Sequence, residues 1–450
     1  MSTAVRALHL LALPAVLTMA ACGPAATYSV EDVATAVAAT VEGLGKSPPE
    51  MASASPEAGP LGEPSATPAP TTSAPPVLRV AYTDGGNVAY YVEPGPAVFL
   101  TSSGFVESVV VSDDGEKIAY TRRPSLDDPI ELHLVNADGS GDTQVMGPAD
   151  FDALYPLSGA LHHDLFQFDF LPGTHRLLFN TRSTFEGPGL AKHDDLIQID
   201  ADTLGRTMLL APGSGGDFTA SPDGRYLAIT RPDTIDILRA DGAPTGSGVI
   251  NYSPVITYSE YAYYAQPVWA PDSMSIGAAI PSSDPLAPST TGSVWRLPVG
   301  GSPSLVSTIS GQFFLFGTGS EPLLSPDLSL VAYTRPTTAP NIWGLFVASS
   351  NGTSENLMAS ADLSWAGWSP DSLHIVYSLG APLNLQLGDL SGASTPLTTG
   401  TRLQWLNPAE FVYLAGSAGA WSLQRDGIGT AGTTLATPSG DSVDYDLAYD

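Results

Sequence analysis

The segment Ser221-Pro222-Asp223-Gly224-Arg225-Tyr226-Leu227-Ala228-Ile229-Thr230 decides the fold. Proline sets φ for a turn, aspartate hydrogen-bonds its own backbone two residues on, and glycine tolerates positive φ. Pro222-Asp223-Gly224 is therefore a tight turn feeding an apolar strand. The frame returns at Ser112-Asp113-Asp114-Gly115 before Ile118-Ala119-Tyr120-Thr121, at Ala270-Pro271-Asp272-Ser273, at Ser325-Pro326-Asp327 before Val331-Ala332-Tyr333-Thr334, and at Ser369-Pro370-Asp371 before Ile375-Val376-Tyr377-Ser378. Two degenerate copies, Leu171-Pro172-Gly173 and Asn407-Pro408-Ala409, fill the gaps.

After each turn and its strand comes a second short apolar strand, such as Ile130 to Val135, Leu196 to Asp200, Ile235 to Leu238 or Ile342 to Val347. An aromatic often precedes the turn, as with Trp269, Trp365 and Trp368. Alternating stretches and glycine-rich turns complete four strands per unit, which predicts an all-β β-propeller. The ends fix the number of blades. Arg79 to Thr83 and Val88 to Val92 read as the second and third strands of a blade without its innermost one, and Ser442 to Tyr449 reads as an innermost strand without followers. Joined, they close a ring of eight blades, with seven as the alternative if one weak copy is an insertion.

These units resemble the WD-like repeats of TolB-type β-propellers, whose signature is the S-P-D-G turn followed by an apolar strand. The likeness covers nearly all of 78–450. It implies a toroid and, in many members, protein recognition; it does not imply an enzyme.

The start of the chain reads as an address. Arg6 precedes the apolar run Ala7 to Leu17, which is too short to span a bilayer, and small residues lead to the chain's single cysteine, Cys22. The stretch Leu17-Thr18-Met19-Ala20-Ala21-Cys22-Gly23 resembles the bacterial lipobox, with Met19 where an aliphatic residue is usual. The resemblance implies a signal peptide over 1–21, lipidation of Cys22, and anchoring on the extracytoplasmic face of a bacterial membrane, inner or outer. Two acyl chains hold a protein stably on a membrane where one is marginal. Within 22–46, Ser29 to Asp32 has N-cap spacing, and Val30, Val33, Val37, Val41 and Leu44 recur at helical intervals, so a short helix is expected. The segment 47–77 is rich in Pro, Ala, Ser and Thr and reads as a disordered, semi-extended linker. The ring itself occupies 78–450.

Seventeen basic against 46 acidic side chains give a formal charge of −29, which excludes binding to the phosphate backbone of nucleic acid. One cysteine excludes an internal disulfide and a thiolate zinc pair.

Insertions point to the face that carries function. The Pro-Asp-Gly turns are short, whereas the loops 147–164, 182–194, 252–266 and 281–292 on the opposite face are long. They carry the candidate binding residues Asp150, Asp152, Tyr155, His162, His163, Asp164, His193, Asp194, Tyr258, Tyr261, Tyr263 and Tyr264. Tyrosines among carboxylates suit a protein, peptide or glycan surface; the same tyrosines also suit half-buried strand faces. Neighbours on a strand point to opposite sides, so His162 and His163 do not converge on one metal ion. Asn136 to Asp142 lacks the distal glutamate of a calcium loop and stands where the repeat expects a hairpin. No G-x-S-x-G elbow, sialidase-type Asp box or phosphate loop is present. The expectation is therefore a monomeric, lipid-anchored propeller that binds or scaffolds an envelope protein, peptide or glycan without cofactor or metal. The alternative is an envelope hydrolase or lyase working through scattered carboxylates.

Overall fold

The computed structural model describes residues 76–450 apart from 126–127, 187–189, 258–260, 286, 288, 314–321, 338–341, 362, 381–383, 431 and 450. Cys22, the helix expected over 29–43 and the linker expected up to Pro75 lie outside the described residues. The described chain is almost entirely antiparallel β-structure in eight blades.

Each Pro-Asp-Gly frame folds as a turn between the innermost and second strands of a blade, and the hydrogen bonds show why serine leads it. Ser221 is fully buried. Its hydroxyl donates to Asp223 Oδ1 (2.7 Å) and accepts from Tyr226 N (3.0 Å), while Asp223 Oδ1 also accepts from Arg225 N (3.1 Å). Gly224 sits at φ 66°, and a Cβ there would lie 2.3 Å from Pro172 O of the preceding blade. Ser325 and Ser369 repeat the same bonds with Asp327 and Asp371. Where the frame has Ser instead of Gly, at Ser273 and Ser372, the residue still takes positive φ and its hydroxyl accepts from Asp223 N (3.2 Å) or Asp327 N (3.1 Å) of the previous blade. The turns thus bond blade to blade as well as strand to strand.

The ring closes as expected from the ends. Tyr445–Tyr449 pairs antiparallel with Leu78–Asp84, with Val80 opposite Leu447 and Tyr82 opposite Tyr445, so the last strand is innermost in the first blade. Tyr445 is fully buried with Leu78, Val80, Val412, Leu414 and Leu423 between the last blade and the first. In blade 7 the outermost strand and the innermost strand of blade 8 are one continuous segment, Ser394–Asn407. Among the described residues, the innermost segment of blade 6 joins its neighbour through the bridges Gln312 to Thr334 and Leu324 to Val331.

Around the channel the inner strands of adjacent blades belong to separate sheets, and side chains bond one to the next. Asp444 and Asp446 accept from Val109 N (3.0 Å) and Val111 N (2.8 Å); Gln167 bonds both Phe218 O (2.8 Å) and Phe218 N (3.1 Å); Trp269 Nε1 donates to Thr219 O (2.9 Å); Trp368 Nε1 donates to Leu323 O (3.1 Å). A polar side chain facing the axis in these positions satisfies backbone groups that would otherwise have no partner.

Candidate functional site

The described parts of all four long loops fall on one face. Two are connections between blades, 147–164 and 252–266, and two join the second and third strands of blades 3 and 5. The first of them contains a helix absent from the sequence reading, Pro148–Asp152, where Pro148 starts the turn and Asp150 Oδ2 accepts from Gly147 N (2.9 Å).

Beneath this loop the candidate residues gather with Thr181, Ser183 and Asp195 in one polar cluster. Tyr155 Oη donates to Asp195 Oδ2 (2.7 Å), and Thr181 Oγ1 joins Asp195 Oδ2 (2.7 Å) to His193 Nδ1 (2.6 Å). Ser183 Oγ then links His193 Nε2 (2.9 Å) to His163 Nδ1 (3.1 Å), and His163 Nε2 returns to Tyr155 O (3.2 Å). The Tyr155 and His193 rings meet edge to face at 4.5 Å. Burial lowers the His193 pKa, the His163 ring lowers it further, and the Asp195 charge opposes both. Asp152 Oδ1 accepts from His163 N (2.9 Å). Asp164, fully buried, accepts from Ile130 N (3.0 Å) and Thr184 Oγ1 (2.9 Å) and pairs with His162 (3.1 Å). His162 and His163 point to opposite sides, so this group braces the loop from within.

Where the inner strands begin, a cavity of about 780 Å³ opens at the mouth of the channel. On one wall the Lys192 ammonium contacts both oxygens of Asp217 (2.8 and 2.7 Å) and lies between the rings of Phe166 (4.0 Å) and Tyr264 (3.6 Å). Such ammonium–ring contacts are favourable once desolvated. Burial pulls the Lys192 pKa down and pushes that of Asp217 up, each against the opposite charge of its partner. Tyr264 Oη donates to Asp194 Oδ1 (2.8 Å), and burial raises the Asp194 pKa. On another wall Arg402 pairs with Asp444 and stands over the Tyr445 ring. Tyr263, Ala265 and Gln266 complete the rim.

Of the residues singled out from sequence, the structure brings Tyr263 and Tyr264 to this mouth, with Asp194 bonded behind Tyr264. Asp150, Asp152, Tyr155, His162, His163 and Asp164 build the adjoining loop 147–164, and His193 joins them from the loop 182–194 through Ser183. Tyr261 falls in the short strand Tyr261–Ala262, and Tyr258 lies outside the described residues. Sequence reasoning missed Phe166, Gln167, Lys192, Asp217, Arg402 and Asp444. One signal was available: Lys192 is one of only three lysines in the chain, and it stands next to His193 and Asp194.

Among the described residues, Asp114, Glu116 and His175 on the opposite face have donor atoms close enough to surround an ion. His175 Nε2 instead contacts Asp114 (2.8 Å) and Nδ1 contacts Asp202 (3.0 Å). Burial lowers its pKa, but the hydrogen bonds and charges of Asp114 and Asp202 outweigh this and raise it. An imidazolium bonded at both nitrogens has no lone pair for a metal.

Fold and site together define an eight-bladed β-propeller with a ligand-sized cavity at one mouth of its channel. No family model matches the sequence, and no curated protein matches it. Solved structures similar to it include TolB from Acinetobacter baumannii (17% identity, TM-score 0.29, 63% of this chain and 64% of that one). Another is the β-propeller domain of the trilobed protease from Pyrococcus furiosus (12%, TM-score 0.42, 74% and 98%). A third is prolyl oligopeptidase B from Galerina marginata (10%, TM-score 0.46, 75% and 51%), of which this chain spans about half the length. These likenesses concern the fold and say nothing about what this chain binds.

Proposed function

We propose that this chain is a TolB-type recognition propeller of the bacterial envelope, lipidated at Cys22, carried on the extracytoplasmic face by the 47–77 linker, and binding its partner at the channel mouth of the long-loop face. The observation that carries this reading is the cavity of about 780 Å³ whose charged groups are already matched, Lys192 with Asp217 and Arg402 with Asp444. What such a wall offers a ligand is aromatic faces, main-chain groups and amide side chains on a rigid frame. That suits an extended peptide, a loop of an envelope protein or a short glycan. A reaction would instead need an unpaired nucleophile or base directed into the cavity, and Lys192 is held as an ion pair.

The test is photo-crosslinking in producing cells, with a benzophenone residue placed in the full-length chain at Ser108 or Gln266 of the mouth, and at Asp223 of the opposite face. Adducts from the mouth positions that vanish in Tyr264→Ala are expected; adducts from Asp223 alone would move the site to the other face. Palmitate labelling that disappears with Cys22→Ala tests the anchor. Turnover of a glycan or peptide panel would replace recognition by catalysis.

A further inference from the structure

On the turn face, away from the channel mouth, a second cavity of about 450 Å³ lies between blades 3 and 4, lined by Arg176, Arg225, Tyr226, Arg239 and Asp241. Three of the chain's 17 basic residues converge there, in a protein of charge −29. The other cations of the ring are mostly sequestered in ion pairs; the side chains of Lys117, Arg122, Lys192, Arg231 and Arg425 are each 20% exposed or less. Arg225 and Arg239 are 67% and 58% exposed.

Their nearest carboxylates serve the backbone. Asp223 Oδ1 holds the Ser221 turn through Ser221 Oγ (2.7 Å) and Arg225 N (3.1 Å), leaving Oδ2 at 3.7 Å from Arg225. Asp241 Oδ1 accepts from Ala243 N (3.0 Å), while Oδ2 takes one contact from Arg239 (2.8 Å). Such exposed pairs contribute little in water and yield to a better acceptor. Arg176 makes a single long bond to Gln198 (3.5 Å), and Arg225 one to Tyr226 Oη (3.4 Å). Since each guanidinium carries five N–H donors, most of those on the three arginines that line the cavity make no bond to the described residues.

We propose that this cavity binds a small dianionic oxyanion, a phosphate ion or a phosphomonoester group, through the guanidinium forks of Arg225 and Arg239 with Arg176 at its floor. A carboxylate satisfies one fork with its two oxygens, whereas a phosphate offers three or four and joins several forks at once. The chain's negative field repels long polyanions, but it is screened beyond about 8 Å at physiological salt, so contact chemistry decides for a small ligand. The site lies on the opposite face from the channel mouth and stands independently of the reading above.

The experiment titrates the full-length chain with inorganic phosphate and, separately, methyl phosphate, against sodium chloride of equal ionic strength, by calorimetry. Saturable one-to-one binding is expected. It should weaken about tenfold or more in R225Q/R239Q and by less in Arg225→Lys, which keeps the charge and loses the fork. Arg335→Gln, whose partner is Glu355 in blade 6, should leave it unchanged. Methyl phosphate binding as well as phosphate identifies a phosphoryl group on an organic partner as the ligand class; binding of phosphate alone identifies the free ion. No saturation above the chloride control, or equal affinity in R225Q/R239Q, overturns the proposal. Melting curves confirm that the variants fold, and if the double variant does not, R225Q alone, on an exposed turn, carries the test.

Discussion

Tyr445→Ala tests whether the last strand locks the ring. Tyr445 has no exposed surface; its ring fills the seam between the last and first blades, and its hydroxyl is shared between Val412 O (3.0 Å) and Arg402 O (3.2 Å). Removing a large buried aromatic costs about 3–5 kcal/mol through lost transfer and the cavity left behind. Loss of the hydroxyl adds about 1 kcal/mol. The total is a large fraction of the roughly 5–15 kcal/mol that holds a typical domain. With an unfolding entropy of about 2.1 cal/mol/K per residue, a ring of this length loses about 5 °C in Tm for each ~4 kcal/mol. Scanning calorimetry and urea denaturation followed by tryptophan fluorescence would measure it. Tyr445→Phe, which keeps the ring and loses the hydroxyl, should fall by only about 1–2 °C. Truncation after Gly440 removes the whole ladder to Leu78–Asp84 and should give an associating or unfolded protein, because the open edge seeks another strand. If Tyr445→Ala or the truncated chain melts within 1 °C of the parent as a monomer, the closure does not hold the ring together.

Ser369→Ala should destabilise by about 1–2 kcal/mol in urea, since it removes the buried hydroxyl that accepts from the half-buried His374 N–H at 2.9 Å and donates to Asp371. Asp169 keeps an exposed surface on the inner strand His162–Phe170, while desolvation by the surrounding groups and, after it, the Asp446 charge push its pKa up to about 7. The folded state then keeps a proton that the unfolded chain releases, so stability falls as pH rises from about 4 to about 7 and is level above that. Asp169→Asn should flatten this slope by about 1–2 kcal/mol once channel water reaching the carboxylate is allowed for, the remainder coming from Asp446, whose pKa burial pushes up to about 6; an unchanged pH profile would show that Asp169 titrates normally. His175 gives the same sign in a higher pH window: its pKa is also raised in the fold, so its ion pairs stabilise below about pH 6.5 and that contribution is lost as pH climbs through the raised value. His175→Asn should therefore lower Tm more at pH 6 than at pH 8, and equal losses at both would discount the imidazolium.

The repeats were legible because turn chemistry is local: serine, proline, aspartate and glycine act within five residues, and each good copy folds as its spacing suggests. Closure was legible because the two ends carry complementary fragments of one blade. The site was less so. Tyr264 stood out in a tyrosine-rich insertion, but its partners Lys192, Asp217 and Phe166 come from blades 3 and 4, and Arg402 and Asp444 from residues 42 apart in sequence. No period or motif ties them, since what brings them together is the convergence of inner strands on the axis. Asp152 and Asp164 looked like surface contacts because charge in a loop usually faces water; here backbone N–H groups of His163 and Ile130 needed acceptors.

The first blade's mixed parentage has a mechanical consequence. Leu78–Asp84 is held on both edges, by Asn87–Val92 through six residue pairs and by Tyr445–Tyr449 through five. A force transmitted along the preceding segment enters the ring at Leu78 and, pulling along the strand, loads both ladders in shear, all their hydrogen bonds sharing the strain together. A terminal strand at a blade's outer edge would instead peel one bond at a time. Load applied from this end therefore has to break eleven pairings at once before the ring opens.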